Sequence, residues 1–108
     1  MAATRIGKGN DVFTVIFEAD GLGEVRQREA LGVIEGLLRT IVCKQPGFLG
    51  SHVHLSTDGD KIVHYQQWSS SDAFLAFKSG PAKEIGAKIA PYGLTAKIYD
   101  IAYSQFPA

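Results

Sequence analysis

Residues 62–68, Ile-Val-His-Tyr-Gln-Gln-Trp, carry the most suggestive chemistry of this chain. In an extended segment alternate side chains share a face, so His64, Gln66 and Trp68 form one row, with Ser51 of a neighbouring segment beside them. An aromatic plane among hydrogen-bonding groups suits a flat polar aromatic ligand. The indole offers packing and an N–H donor, while an amide and an imidazole orient or deprotonate a phenol or ketone oxygen. The same spacing also fits a core tryptophan at a strand end and a satisfied interface histidine.

Other reactive side chains offer less. His52 and His54 point to one side of a strand and could begin a chelate, but no third or fourth ligand stands nearby, so no metal site is expected. Cys43 is the single cysteine; it cannot form an internal disulfide and reads as a buried small hydrophobe rather than a nucleophile. Gly7, Gly9, Gly21 and Gly23 lack the strand-to-helix context of a dinucleotide loop, which removes the usual nicotinamide and flavin motif.

The elements that must position the row follow from periodicity. Residues 12–19 are β-branched or aromatic and stop at Asp20-Gly21, as a strand closed by a turn does. From Gly23 to about Cys43, Leu31, Ile34, Leu38 and Ile41 recur at helical steps, widened by Leu37 and Val42. Gly32 and Gly36 within this helix each cost about 1 kcal/mol relative to alanine, which leads us to expect a close packing partner. Pro46-Gly47 ends the helix. Extended runs 48–56 and 60–68 flank Thr57-Asp58-Gly59, a strong hairpin signal. Ser69-Ser70-Ser71-Asp72 supplies cap chemistry for a helix over 72–78, interrupted at Gly80-Pro81 and resumed to about Ile89. Residues 94–105 read as a last long strand.

The order β-α-β-β-α-β predicts an α+β, ferredoxin-like antiparallel sheet with both helices on one face. With the turn at Asp58-Gly59, 53 opposes 64, 51 opposes 66 and 49 opposes 68. One face then holds Leu49, Ser51, Val53 and Leu55 with Ile62, His64, Gln66 and Trp68. The other holds Gly50, His52 and His54 with Val63, Tyr65 and Gln67. Both faces carry apolar residues and helices cover only one, so a second copy of the chain is expected on the other, as a homodimer.

Composition sets the outer limits. In 108 residues, 11 basic and 11 acidic side chains balance, 45% are hydrophobic, and the pI is near 6.8. That provides one core and no electrostatic footprint for nucleic acid or an anionic membrane. No apolar run approaches the ~18 residues of a membrane span, and the first ten residues lack the apolar region of a secretory signal. We expect a short flexible arm over 1–11, a single domain over 12–105, and a reducing, cytoplasmic location.

Pro46-Gly47-Phe48-Leu49, Ser56-Thr57-Asp58-Gly59, Tyr65-Gln66-Gln67-Trp68-Ser69, Asp72-Ala73-Phe74 and Ile101-Ala102-Tyr103 together resemble the antibiotic biosynthesis monooxygenase family of dimeric α+β barrels, from about residue 12 to 104. The likeness is nearest to the small polyketide enzymes that turn anthrone-like phenols into quinones. It implies a homodimer that uses molecular oxygen as co-substrate without metal, flavin or haem, and a small aromatic substrate bound between sheet and helices. Trp68 matches the family's active-site tryptophan, and His64 stands where those enzymes often carry an asparagine. Thr14 is the polar residue of the first strand, where some relatives have another asparagine, and Phe74 replaces a tyrosine found in one subset. The resemblance thus implies Trp68 and His64 as catalytic groups, holding an enolate oxygen or acting as base; Gln66 and Ser51 of the same row, with Thr14, Phe74 and Tyr65, are the expected substrate contacts. Residues 82–89 contain no histidine, unlike the haem-degrading branch, so haem is not expected. Quinol oxidation, other small-metabolite chemistry of the superfamily, or a non-catalytic ligand-binding dimer are the alternatives.

Overall fold

The computed structural model describes residues 12–108, and the arm expected over 1–11 lies outside the described residues. The chain forms strand β1 (Phe13–Ala19), helix α1 (Gly23–Thr40), strands β2 (Phe48–Leu55) and β3 (Ile62–Trp68), helices α2 (Ser71–Ser79) and α3 (Ala82–Ile89), and strand β4 (Thr95–Tyr99). The four strands lie in the order β2-β3-β1-β4 with antiparallel neighbours throughout, which is the ferredoxin-like arrangement the sequence predicts.

The hairpin register is as expected over most of its length: Val53 faces His64 and Ser51 faces Gln66. At the open end it departs, because a bulge between Phe48 and Gly50 makes Phe48, not Leu49, the partner of Trp68. The bulge turns the Phe48 ring onto the indole, edge to face at 5.4 Å. Asp58 closes the turn by accepting from Ser56 Oγ (2.6 Å) and the Asp60 amide (3.0 Å). Gly59, at φ +81°, packs on Glu24 at the start of α1, so only a residue without a Cβ sits there unstrained.

Helix α1 faces the sheet through Gln27, Ala30, Ile34 and Leu37. Gln27 is buried, and its Nε2 donates to the carbonyls of Ser56 (3.0 Å) and Lys61 (2.9 Å), which fastens the helix to the base of the hairpin. Gly32 and Gly36 have open space where a Cβ would lie, so the close partner expected for them is absent among the described residues. The helix stops at Thr40, short of Cys43, and a 3-10 turn over Val42–Lys44 leads to Pro46; this turn buries Val42 and leaves Cys43 exposed, not buried as its residue type suggests. Ser70 caps α2 by accepting from the Ala73 amide at 3.1 Å, within the polar run predicted to do so.

Strand β4 is shorter than the extended run expected to Gln105. It pairs with β1 from Thr95↔Glu18 to Tyr99↔Thr14, and beyond Tyr99 the ladder runs out because β1 begins at Phe13. Two apolar clusters fill the space between sheet and helices. One gathers Val15, Leu37, Val42, Trp68, Phe74, Phe77 and Ile85, and the other Ala19, Leu22, Ala30, Ile34 and Ile62. No helix among the described residues is long and apolar enough to cross a membrane.

Candidate active site

The first cluster does not close completely. A cavity of about 460 Å³ separates the sheet from the helices. Val15 and Phe17 of β1 with His64 and Gln66 of β3 form its floor, α1 contributes Ile34, Leu37 and Leu38, and α2 contributes Phe74, Phe77 and Lys78. Ile85, Gly86 and Ile89 of α3 stand across from Ala96 and Ile98 of β4. The volume falls within the range of small-molecule sites, and the walls are overwhelmingly apolar with few polar groups, the composition that holds an aromatic ring system and fixes its orientation.

His64 and Gln66 share the floor because two residues along a strand return the side chain to the same face. His64 is 5% exposed and its ring lies over Phe17, directly across on β1, with centroids 5.5 Å apart and planes at 26°. Its Nε2 is buried and has no hydrogen-bond partner among the described residues. Burial penalises the imidazolium and pushes the pKa down to about 4, so at neutral pH the ring is uncharged. An uncharged imidazole carries one proton-accepting nitrogen, unlike the half-protonated histidine of an ordinary surface.

Trp68 lies one step further along the row and takes a different part. It is fully buried in an aromatic nest, stacked on Phe77 (5.0 Å) and edge-on to Phe74 (5.8 Å). Its indole Nε1–H donates to Gln66 Oε1 at 3.2 Å. The N–H expected to face a substrate thus points at a neighbouring side chain, and the indole stands behind the cavity wall.

Residues 25–84 match the family described as antibiotic biosynthesis monooxygenase. A tetracenomycin-F1 monooxygenase of Streptomyces glaucescens is 32% identical over 76 residues, which cover 70% of this chain and 67% of that protein. The chain belongs to the antibiotic biosynthesis monooxygenase family. Among solved structures, the fold is similar to that of a monooxygenase from the gene ActVA-Orf6 of Streptomyces coelicolor, in complex with nanaomycin D. That likeness has a TM-score of 0.78 at 23% identity and covers 89% of this chain and 92% of that one. It is also similar to SnoaB, a cofactor-independent oxygenase from Streptomyces nogalater, with a TM-score of 0.73 at 18% identity and coverage of 87% and 96%.

Membership makes this chain an enzyme of the monooxygenase class, and the residues singled out from the sequence divide into two groups within that fold. His64, Gln66 and Phe74 line the cavity, with Trp68 directly behind them. Thr14 and Tyr65 lie on the opposite face of the sheet, because Thr14 pairs with Gln67 and Tyr65 with Ile16, one register step away from the Val15–Gln66 and Phe17–His64 pairs of the floor. Ser51 shares the face of Gln66 but sits on the edge strand β2, which contributes nothing to the cavity wall. Periodicity could have placed Phe17 opposite His64 once β1 was paired with β3. The contributions of α3 and β4 had no local signal, because they meet only where the two elements converge. Among the described residues no group of three or more His, Cys, Asp or Glu side chains is placed to hold a metal ion.

Proposed function

We propose that the chain is a cofactor-independent monooxygenase that oxidises a phenolic, anthrone-type polycyclic aromatic to a quinone with molecular oxygen. The single observation that carries the reading is a buried, uncharged imidazole on the floor of an apolar cavity of tricyclic size. The family membership, the relative named as a tetracenomycin-F1 monooxygenase and the similar monooxygenase structure in complex with nanaomycin D support it.

In this reading His64 takes a proton from the reacting ring carbon, and the electron pair of the broken C–H bond delocalises onto the ring oxygen as an enolate. Pairing with that oxyanion in a site shielded from water raises the proton affinity of the imidazole, which offsets the low value set by burial. One electron passes from the enolate to oxygen, and the substrate radical and superoxide combine to form a carbon–oxygen bond. His64 returns its proton to the peroxide. Loss of the second proton from the same carbon, with cleavage of the O–O bond, yields the carbonyl and water. The substrate is the reductant, so no external electron donor is required. Phe17, Phe74 and Phe77 hold the ring in place and the helices exclude water.

A second copy of the chain would cover the sheet face opposite the helices. That face presents exposed His52, His54 and Tyr99 around buried Thr14 and Gln67. Thr14 Oγ1 and both amide atoms of Gln67 are already covered within the single chain and lack hydrogen-bond partners among the described residues, so a second copy would meet the exposed rim around them.

Oxygen uptake by metal-stripped protein tests the function, with an anthrone, a dihydroxynaphthalene and a simple hydroquinone, each corrected for autoxidation. Uptake with the anthrone that persists in chelator and is lost in His64→Leu supports the reading. Turnover of the hydroquinone alone points to a quinol monooxygenase. Binding without uptake for all three removes the oxygenase assignment in favour of a ligand-binding dimer. Light scattering at micromolar concentration reads the copy number directly.

A further inference from the structure

The hydrogen bond behind the cavity wall fixes something that strand periodicity leaves free. An amide side chain can present either its oxygen or its NH2 to a ligand. The indole N–H is a donor only, so the atom of Gln66 that meets it is the carbonyl oxygen, and the observed contact is Trp68 Nε1 to Gln66 Oε1 at 3.2 Å. Gln66 is 4% exposed and lines the cavity. That contact engages the oxygen and leaves the NH2 group without a protein acceptor among the described residues; His64, whose Nε2 has no partner among them either, lies two residues away on the same face. Two positions along a strand are separated by roughly 7 Å, so the two side chains are neighbours on the cavity floor. One of these groups accepts a proton. The other can only donate.

We propose that Gln66 is the donor that holds the enolate or phenolate oxygen of the substrate, and that Trp68 is its positioning residue, acting through the amide and not on the ligand. This rests on the site being one for a phenolic aromatic, and it adds a division of labour within it. A neutral donor stabilises the oxyanion without protonating it, so the ring stays electron-rich for reaction with oxygen. Burial in the aromatic nest holds the indole in a single orientation, which makes it a fixed pivot for the amide.

The experiment reads the ionisation of a bound dye and needs no turnover. The probe is 2-hydroxyanthraquinone, whose visible absorption shifts when its phenol ionises. In the wild-type protein the bound phenol is expected to ionise at lower pH than in water. Gln66→Leu should raise its apparent pKa by about one unit, a tenfold change, as for loss of one hydrogen bond to a charged oxygen. Trp68→Phe, which keeps an aromatic ring and removes the N–H, should raise it by a smaller amount. The double variant should match Gln66→Leu alone, because the indole acts through the amide. Additive effects in the double variant, or an unchanged value in Gln66→Leu, would overturn the assignment, as would failure of the wild-type protein to bind the dye.

Should Trp68→Phe fail to fold, the single tryptophan supplies a second reading. Its one indole N–H resonance should move in Gln66→Leu and stay in place when the dye is added to the wild-type protein. A large dye-induced shift in the wild type would mean that the indole itself meets the ligand. Absence of oxygen uptake together with the expected dye pattern would leave the Gln66–Trp68 assignment standing while removing the oxygenase reaction.

Discussion

Gly47 and Ala73 approach so closely that a Cβ added to the glycine would lie 2.5 Å from the alanine Cβ and 2.8 Å from Ser69 Oγ. The carbonyl of Gly47 accepts from the Ser69 amide at 2.7 Å, so the loop before β2 is fastened to the start of α2 just beyond Trp68. The Pro-Gly-Phe and Trp-Ser-x-x-x-Ala-Phe strings, far apart in sequence, are two sides of one contact. Gly47 also takes φ +83°, which alanine adopts only with strain.

Gly47→Ala is therefore expected to cost about 2–4 kcal/mol, combining overpacking with the left-handed backbone. Thermal unfolding should show a fall of ~10 °C or more. Gly47→Ala with a midpoint within a few degrees of the wild type would mean that the loop is free to move away from α2.

Gly32 presents the opposite case. It is exposed within α1, with nothing near the position of a Cβ. Gly32→Ala should stabilise the protein by roughly 0.5–1 kcal/mol through helix propensity and a smaller loss of backbone entropy. A urea unfolding curve with a lower midpoint would instead reveal a partner packed on that face of the helix.

The titration of His64 ties site and stability together. Its pKa is about 4 in the folded chain, against an ordinary value of 6.5. Above pH 6.5 neither the folded nor the unfolded state carries the proton. As pH falls from about 6.5 towards 4 the unfolded chain binds it and the folded chain does not, so stability declines and then levels off below about 4. The loss amounts to roughly 3 kcal/mol over that window. His64→Leu should flatten this part of a stability-against-pH profile measured by urea unfolding. A slope identical to that of the wild type would show that His64 titrates in the folded chain as it does in the unfolded one. In turnover, kcat/KM of the wild type should stay level with respect to this group from pH 5 to 9 and fall only towards pH 4.

Gly86 lines the cavity on α3 and has open space around it. Gly86→Ile places a branched side chain in that space while improving on glycine as a helix residue. We expect stability at least equal to the wild type, with affinity for a tricyclic phenol reduced tenfold or more and affinity for a single-ring phenol changed less. Isothermal titration with both ligands checks this, and equal losses for the two would mean that the cavity is not filled by ring systems on that side.

Much of this was legible from the chain alone, where the controlling physics is local. The Asp58-Gly59 turn set the hairpin and its register, alternation put His64, Gln66 and Trp68 on one face, and the polar run before α2 contained its cap at Ser70. These features depend on neighbours a few residues away, and residue type reports them directly. The bulge at Leu49 was not legible, since it is set by how the Phe48 ring packs on Trp68 across strands.

The decisions that matter for chemistry were tertiary. Strand period says which side chains share a face but not what stands opposite them. Only the packed structure turned the Trp68 N–H to Gln66, put Thr14 and Tyr65 on the far side of the sheet, and used buried Gln27 as a clamp on the hairpin. It also lowered the proton affinity of His64, because desolvation is the sum of everything brought around the ring by α1, α2, α3 and β1. Residue identity supplied the acid–base and donor groups, and the enclosing of space between sheet and helices determined which of them a ligand could meet.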